Sequence, residues 1–157
     1  MILSIIIFSF DNFTRKSKHL LLYSFSLDKK LIFDLCCVIV QVLLLIDLGL
    51  ITGTLEDVLK DHLYAEFFMH KTGHWLGLDV HDCGDYRVDG LWVEIEPNMV
   101  LTIEPGIYIN EEANVPNKYK GIGIRIEDDV LITEHGPEVL TAKVPKERAE
   151  IEALVRG

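Results

Sequence analysis

Glu96-Pro-Asn-Met-Val-Leu-Thr-Ile-Glu-Pro-Gly-Ile-Tyr-Ile109 and, further on, Gly121-Ile-Gly-Ile-Arg-Ile-Glu-Asp-Asp129 decide how this chain is read. In the first, Met99–Ile103 is rich in β-formers and bounded by Pro97-Asn98 and Pro105-Gly106, which predicts a strand between turns. Ile107–Ile109 looks like its continuation beyond a kink. In the second, Gly121–Ile126 predicts another strand and Val130–Thr133 the next, with an acidic turn at Asp128-Asp129 between them. Each stretch carries a glutamate where an apolar strand closes: Glu104 before Pro105-Gly106, and Glu127 beside Arg125. A charged group closing a buried strand needs a compensating partner. A metal ion is one such partner, an ion pair with Arg125 another, and plain solvation at a strand end a third.

Outward from these strands the punctuation stays regular. Gly49, Thr52 and Gly53 break the chain before Leu55–Lys60, whose apolar spacing predicts a short helix with Thr54 as N-cap. Upstream, Leu35–Ile46 is an apolar stretch interrupted by Gln41 and flanked by Asp34 and Asp47. It is shorter than the ~20 residues needed to cross a bilayer, so a buried helix is expected rather than a membrane segment. At the other end Pro145 fits the first turn of a helix with Ile151, Leu154 and Val155 on one face and Gly157 as its stop. Residues 11–30 show no clear periodicity. Met1–Phe10 is an apolar run without the basic region and cleavage site of a secretory signal.

The 157 residues, nearly half of them apolar, can bury one core but hardly two, so one α+β domain or part of one is expected. The formal charge of −10 is uneven: residues 1–50 carry five Lys/Arg against four Asp/Glu, and residues 51–157 carry ten against twenty-one. Nucleic acid is a poor partner for so acidic a surface. Three cysteines, two of them adjacent at Cys36-Cys37, form neither a metal pair nor a disulfide framework, which predicts a reduced, cytoplasmic protein.

His70 and His74 have the i, i+4 spacing that would set two imidazoles on one helix face. The intervening Lys-Thr-Gly lacks the glutamate of an H-E-x-x-H zinc motif, and Gly73 argues against an ordinary helix. On spacing alone either histidine could equally be a satisfied core or surface group. His81-Asp82 is weaker as a pair, because adjacent strand residues point to opposite faces.

Taken together, Phe67-Phe-Met-His-Lys-Thr-Gly-His-Trp-Leu-Gly-Leu-Asp-Val-His-Asp82 and the two stretches quoted above resemble the C-terminal part of the Xaa-Pro aminopeptidases (aminopeptidase P), which are pita-bread metallopeptidases. The resemblance runs from about residue 46 to the C-terminus. Residues 1–45 form an unmatched apolar N-terminal segment, and residues 46–157 correspond to the C-terminal half of a pita-bread domain, a curved antiparallel sheet with helices. The resemblance implies a metal-dependent aminopeptidase that releases an N-terminal residue preceding proline. His74, Glu104 and Glu127 would be metal ligands, with Glu127 bridging two ions and Glu104 also the general base. His81 would stabilise the oxyanion or position the substrate, and His70 would line the same pocket. Arg125 would orient a ligating carboxylate, assisted by Tyr108. The implied cofactor is a pair of divalent ions, Mn2+ or similar, that lowers the pKa of water. The implied partners are peptides with proline at the second position.

The sequence departs from the family pattern at one point. The family site has two further aspartate ligands from upstream Asp-x-Gly and Asp-x-Thr-Arg motifs, and neither motif is present. Asp11-Asn-Phe-Thr-Arg15 is only a distorted echo of the second. The expectation is therefore an incomplete domain with one weak metal site and little activity on its own. Its uncovered edges would favour association, including homo-oligomers. A metal-free pita-bread interaction module is the alternative.

Overall fold

The structure, a computed structural model, describes residues 31–157, with side chains from Cys37 onward. Met1–Phe10 and Asp11–Arg15 lie outside the described residues. Helix α1 runs Leu31–Asp47, longer at its start than the apolar stretch suggested. It is buried where the chain is most apolar: Val42 and Leu45 are fully enclosed, packed with Val58, Phe67, Ile107 and Ile109. The helix therefore crosses the boundary expected near residue 46 and contributes to the same core as the strands that follow. Among the described residues no helix is long and apolar enough to cross a membrane.

The end of α1 is written in its sequence. Gly49 takes φ +68°, its N–H bonds the Ile46 carbonyl, and the Leu50 N–H reaches back to Leu45 at 2.9 Å. That pair of bonds is the Schellman stop, sealed by Leu50 and Leu45 lying in one cluster. The next helix, α2, spans Leu55–Lys60 as the spacing predicts. Thr54 accepts from the Asp57 N–H while the Asp57 carboxylate accepts from the Thr54 N–H, a reciprocal cap.

Beyond α2 the chain builds antiparallel pairs. A small hairpin joins β1 (Arg87–Val88) to β2 (Leu91–Trp92) through Asp89-Gly90, both at positive φ as a tight two-residue turn requires. The main feature is a bent ribbon. One side is β3 (Val100–Ile103) followed by β4 (Gly106–Tyr108); the other is β5 (Gly123–Arg125) followed by β6 (Asp128–Thr133). β3 pairs with β6 and β4 with β5, and β7 (Gly136–Val139) extends the β6 edge. Ile103 faces Asp128 before the bend and Gly106 faces Arg125 after it, so the register passes through unchanged. The Ile126 N–H still bonds the Pro105 carbonyl at 3.2 Å within the bend.

This corrects the expected turn at Asp128-Asp129. Both residues lie inside β6, because β5 and β6 pair with consecutive parts of the same opposing segment and the chain never reverses there. Asp128 is instead buried; its carboxylate accepts from the Thr141 hydroxyl at 2.7 Å and from Lys146 at 2.8 Å, clipping the C-terminal segment to the sheet. The last helix, α3, spans Arg148–Arg156 with Glu147 as its N-cap, so Pro145 precedes the helix rather than opening it. Ile151, Leu154 and Val155 are exposed.

Residues 70–74 are not helical, which removes the shared face expected of His70 and His74. They run beside β3: the Glu104 N–H bonds Thr72 O, the Thr102 N–H bonds His74 O, and the Leu76 N–H bonds Val100 O at 2.8, 2.9 and 3.1 Å. Gly73 permits this approach, since a Cβ there would collide with the Thr102 carbonyl. Gly73→Ala should therefore cost about 1–3 kcal/mol by forcing the two segments apart. Urea denaturation checks it; a neutral effect would mean that the His74 segment does not sit against β3.

Candidate metal centre

The bend in the ribbon places Glu104 directly opposite Glu127. Cross-strand partners bring their Cβ atoms to about 4.5–5.5 Å, and like charges so placed repel. His74 joins them from the adjacent segment: one ligand atom from each of His74, Glu104 and Glu127 lies within 4.8 Å of the others. Glu104 is buried, His74 half-buried and Glu127 exposed, so the group opens to solvent on the Glu127 side.

Hydrogen bonding aims His74 and Glu104. His74 Nδ1 lies 2.9 Å from the Trp75 carbonyl, which can only accept, so Nδ1 carries the proton. That leaves Nε2 to face Glu104 Oε1 at 3.4 Å. A ring nitrogen facing a carboxylate calls for a positive charge between them, a proton or a metal ion, and a backbone carbonyl that fixes the other nitrogen is how a ligating histidine is held. Thr102, enclosed in the core, accepts from the His74 N–H at 3.0 Å and donates to Glu104 Oε1 at 3.3 Å. The sequence reading passed over Thr102. Its signal was a hydroxyl in an otherwise apolar strand, two residues from Glu104 and thus on the same face.

Arg125 lies across the bend with NH1 3.4 Å from Glu104 Oε2, while its Nε donates to the Tyr108 hydroxyl at 2.7 Å. That hydrogen bond holds the guanidinium above its ordinary pKa, with the charges of Glu104 and Glu127 adding to it. Tyr108 in turn lies 2.9 Å from His70 Nε2, and His70 Nδ1 donates to the Lys71 carbonyl at 2.7 Å. His70 thus supports Tyr108 rather than joining the carboxylates. His81 is exposed and meets His74 edge-on, with ring centroids 4.2 Å apart. Asp82 turns away: its N–H bonds the Trp75 carbonyl and its carboxylate packs on Gly77.

One imidazole of fixed tautomer and two carboxylates suit a divalent ion of intermediate hardness. These three groups fill only part of such an ion's coordination. Among the described residues no other set of three such side chains converges.

Residues 46–134 match the profile of metallopeptidase family M24. The Xaa-Pro aminopeptidase of Haemophilus influenzae is 54% identical over 111 residues, 71% of this chain and 26% of that protein. That of Escherichia coli is 53% identical over 111 residues, 71% of this chain and 25% of that protein. Aminopeptidase PepP of Pseudomonas aeruginosa superposes with a TM-score of 0.73 at 52% identity, covering 76% of this chain and 27% of its own. Zinc-substituted E. coli aminopeptidase P in complex with product superposes with a TM-score of 0.70 at 51% identity, over 76% of this chain and 27% of its own. The chain spans about a quarter of the length of these relatives.

The opposed carboxylates have a consequence that needs no metal. In the presence of a chelator, Glu127→Gln should stabilise the chain by roughly 0.2–0.5 kcal/mol, a small gain because Glu127 is exposed and screened. The urea midpoint measures this, and a loss of stability would mean that Glu104 and Glu127 do not oppose each other.

Proposed function

Because this chain belongs to metallopeptidase family M24, we propose that it carries the C-terminal part of the catalytic site of an Xaa-Pro aminopeptidase, which releases an N-terminal residue preceding proline. Its α+β fold is the corresponding part of a pita-bread domain. The observation that carries the reading is the convergence of His74, Glu104 and Glu127 at the ribbon bend, with His74 Nδ1 tied to a backbone carbonyl and Nε2 facing Glu104. That convergence disfavours the metal-free interaction module.

His74, Glu104 and Glu127 would hold a divalent ion, Mn2+ on our reading, which supplies Lewis acidity and makes water a nucleophile near neutral pH. Glu104 is the general base: it accepts the proton of the attacking water and returns it to the leaving proline nitrogen. Arg125, tied to Tyr108, holds one Glu104 oxygen in place so that the other faces His74. His70 locks Tyr108. His81, on the exposed side of His74, donates to the oxyanion that forms when the peptide carbonyl is attacked. The substrates are peptides with proline second, and we place the protein in the cytoplasm. Exposed apolar side chains such as Leu78, Leu91 and Leu154 would support self-association.

Three ligands with water completing the shell predict one weak Mn2+ site on the 157-residue chain. Calorimetry checks it, and two tight sites would mean that ligands beyond His74, Glu104 and Glu127 take part, Asp11 being the first to test. Added Mn2+ should also reverse the order of stability, leaving Glu127→Gln below the parent chain.

With one activating ion rather than two, turnover of Xaa-Pro peptides by these 157 residues should fall by roughly several powers of ten below that of a complete two-ion site. Joining them to an upstream half that carries the Asp-x-Gly and Asp-x-Thr-Arg motifs should restore it, and Glu104→Ala should then abolish it. Robust turnover that survives Glu104→Ala would sink the assignment.

A further inference from the structure

Gln41 is out of place on an apolar helix. It lies between Val40 and Val42 on α1 and is only 1% exposed. Its Nε2 donates to the Gly106 carbonyl at 3.0 Å, and because that carbonyl can only accept, the orientation of the amide is settled. The Oε1 end is then buried with no hydrogen-bond partner among the described residues. An unpaired polar atom in a core disfavours the fold, and Met or Leu would fill similar space without it, forfeiting only the bond to the Gly106 carbonyl. A buried amide that keeps one end unpaired points to the partner held by its other end.

That partner is Gly106. This residue follows Glu104-Pro105 and opens β4 opposite Arg125. It is gripped on a second side by the Tyr108 ring, since a Cβ at Gly106 would lie 2.6 Å from the Tyr108 hydroxyl oxygen. Helix α1, Tyr108 and Arg125 therefore meet at one glycine, two residues from the Glu104 carboxylate.

We infer that Gln41 is a positioning residue for the metal centre. Its amide pins the Gly106 carbonyl, giving the ribbon a single bend angle at Glu104-Pro105. That angle sets the Glu104 carboxylate against His74 and, through Tyr108, sets Arg125 against Glu104. The role depends on reading His74, Glu104 and Glu127 as the metal centre.

Gln41→Met in the 157-residue chain tests this through three measurements: thermal unfolding, amide hydrogen exchange and Mn2+ calorimetry. The melting temperature should change little, since the orphaned oxygen and the hydrogen bond to the Gly106 carbonyl are lost together. The Ile126 amide, which bonds Pro105 O inside the bend, should exchange about ten-fold faster while amides within α1 do not. Mn2+ affinity should fall about ten-fold, as expected when support for a ligand is lost. Unchanged exchange and affinity would overturn the inference, and so would a uniform loosening with a lower melting temperature, which marks a mere packing residue. If the parent chain binds no Mn2+, the metal-centre reading fails, and the exchange at Ile126 still decides whether Gln41 holds the bend. Gln41→Leu serves as the second variant; failure of both to fold would also overturn the inference, which requires that an apolar side chain be tolerated there.

Discussion

Two carboxylates held face to face across a bent β-ribbon are the constraint on which the rest of this structure depends. Glu104 and Glu127 oppose each other because the pairing register is the same on both sides of the bend. Left alone, they repel. The surroundings read as compensation: Arg125 approaches Glu104, Thr102 donates to it, and the His74 ring turns Nε2 toward it. Arg125 and Thr102 offset part of the charge, and the close approach of His74, Glu104 and Glu127 leaves room for a cation to do the remainder.

The bend needs support from outside the ribbon. Pro105 at its apex has no N–H to donate, and between the two paired regions the described ribbon is linked by the hydrogen bond from the Ile126 N–H to the Pro105 carbonyl. Gly106 lets the Tyr108 ring close in, and α1 reaches the same glycine through Gln41. On the opposite flank the residue 72–76 segment lies along β3 by three backbone hydrogen bonds and carries His74 with it. Three separate stretches of chain thus determine where a single carboxylate points.

The histidines divide by their second nitrogen. His74 and His70 each donate Nδ1 to a backbone carbonyl, which leaves Nε2 as the chemically available atom in both. For His74 that atom faces Glu104, and for His70 it faces the Tyr108 hydroxyl. Similar local geometry therefore gives one residue to the metal group and the other to its support. Hydrogen bonds run from His70 through Tyr108 to Arg125, which pairs with Glu104, so that His70 reaches the site only through its neighbours.

Much of this was legible in the sequence because it depends on near neighbours. Gly49 as a helix stop, Thr54 as a cap and the β-formers between Pro97-Asn98 and Pro105-Gly106 are short-range effects of backbone conformation and capping. The motifs around His74, Glu104 and Glu127 name a family for a similar reason: the residue types sit together on the chain. What local pattern could not supply was register and partnership. Asp128-Asp129 looks like a turn until the opposing strand is known, and then it is the interior of β6. The i, i+4 spacing of His70 and His74 suggests a helix until the backbone is seen bonding to β3. Gln41 reads as a flaw in an apolar helix until Gly106, far along the chain, is found at the other end of its amide. Each of these rests on a hydrogen bond between distant segments, whose partner the tertiary fold alone selects.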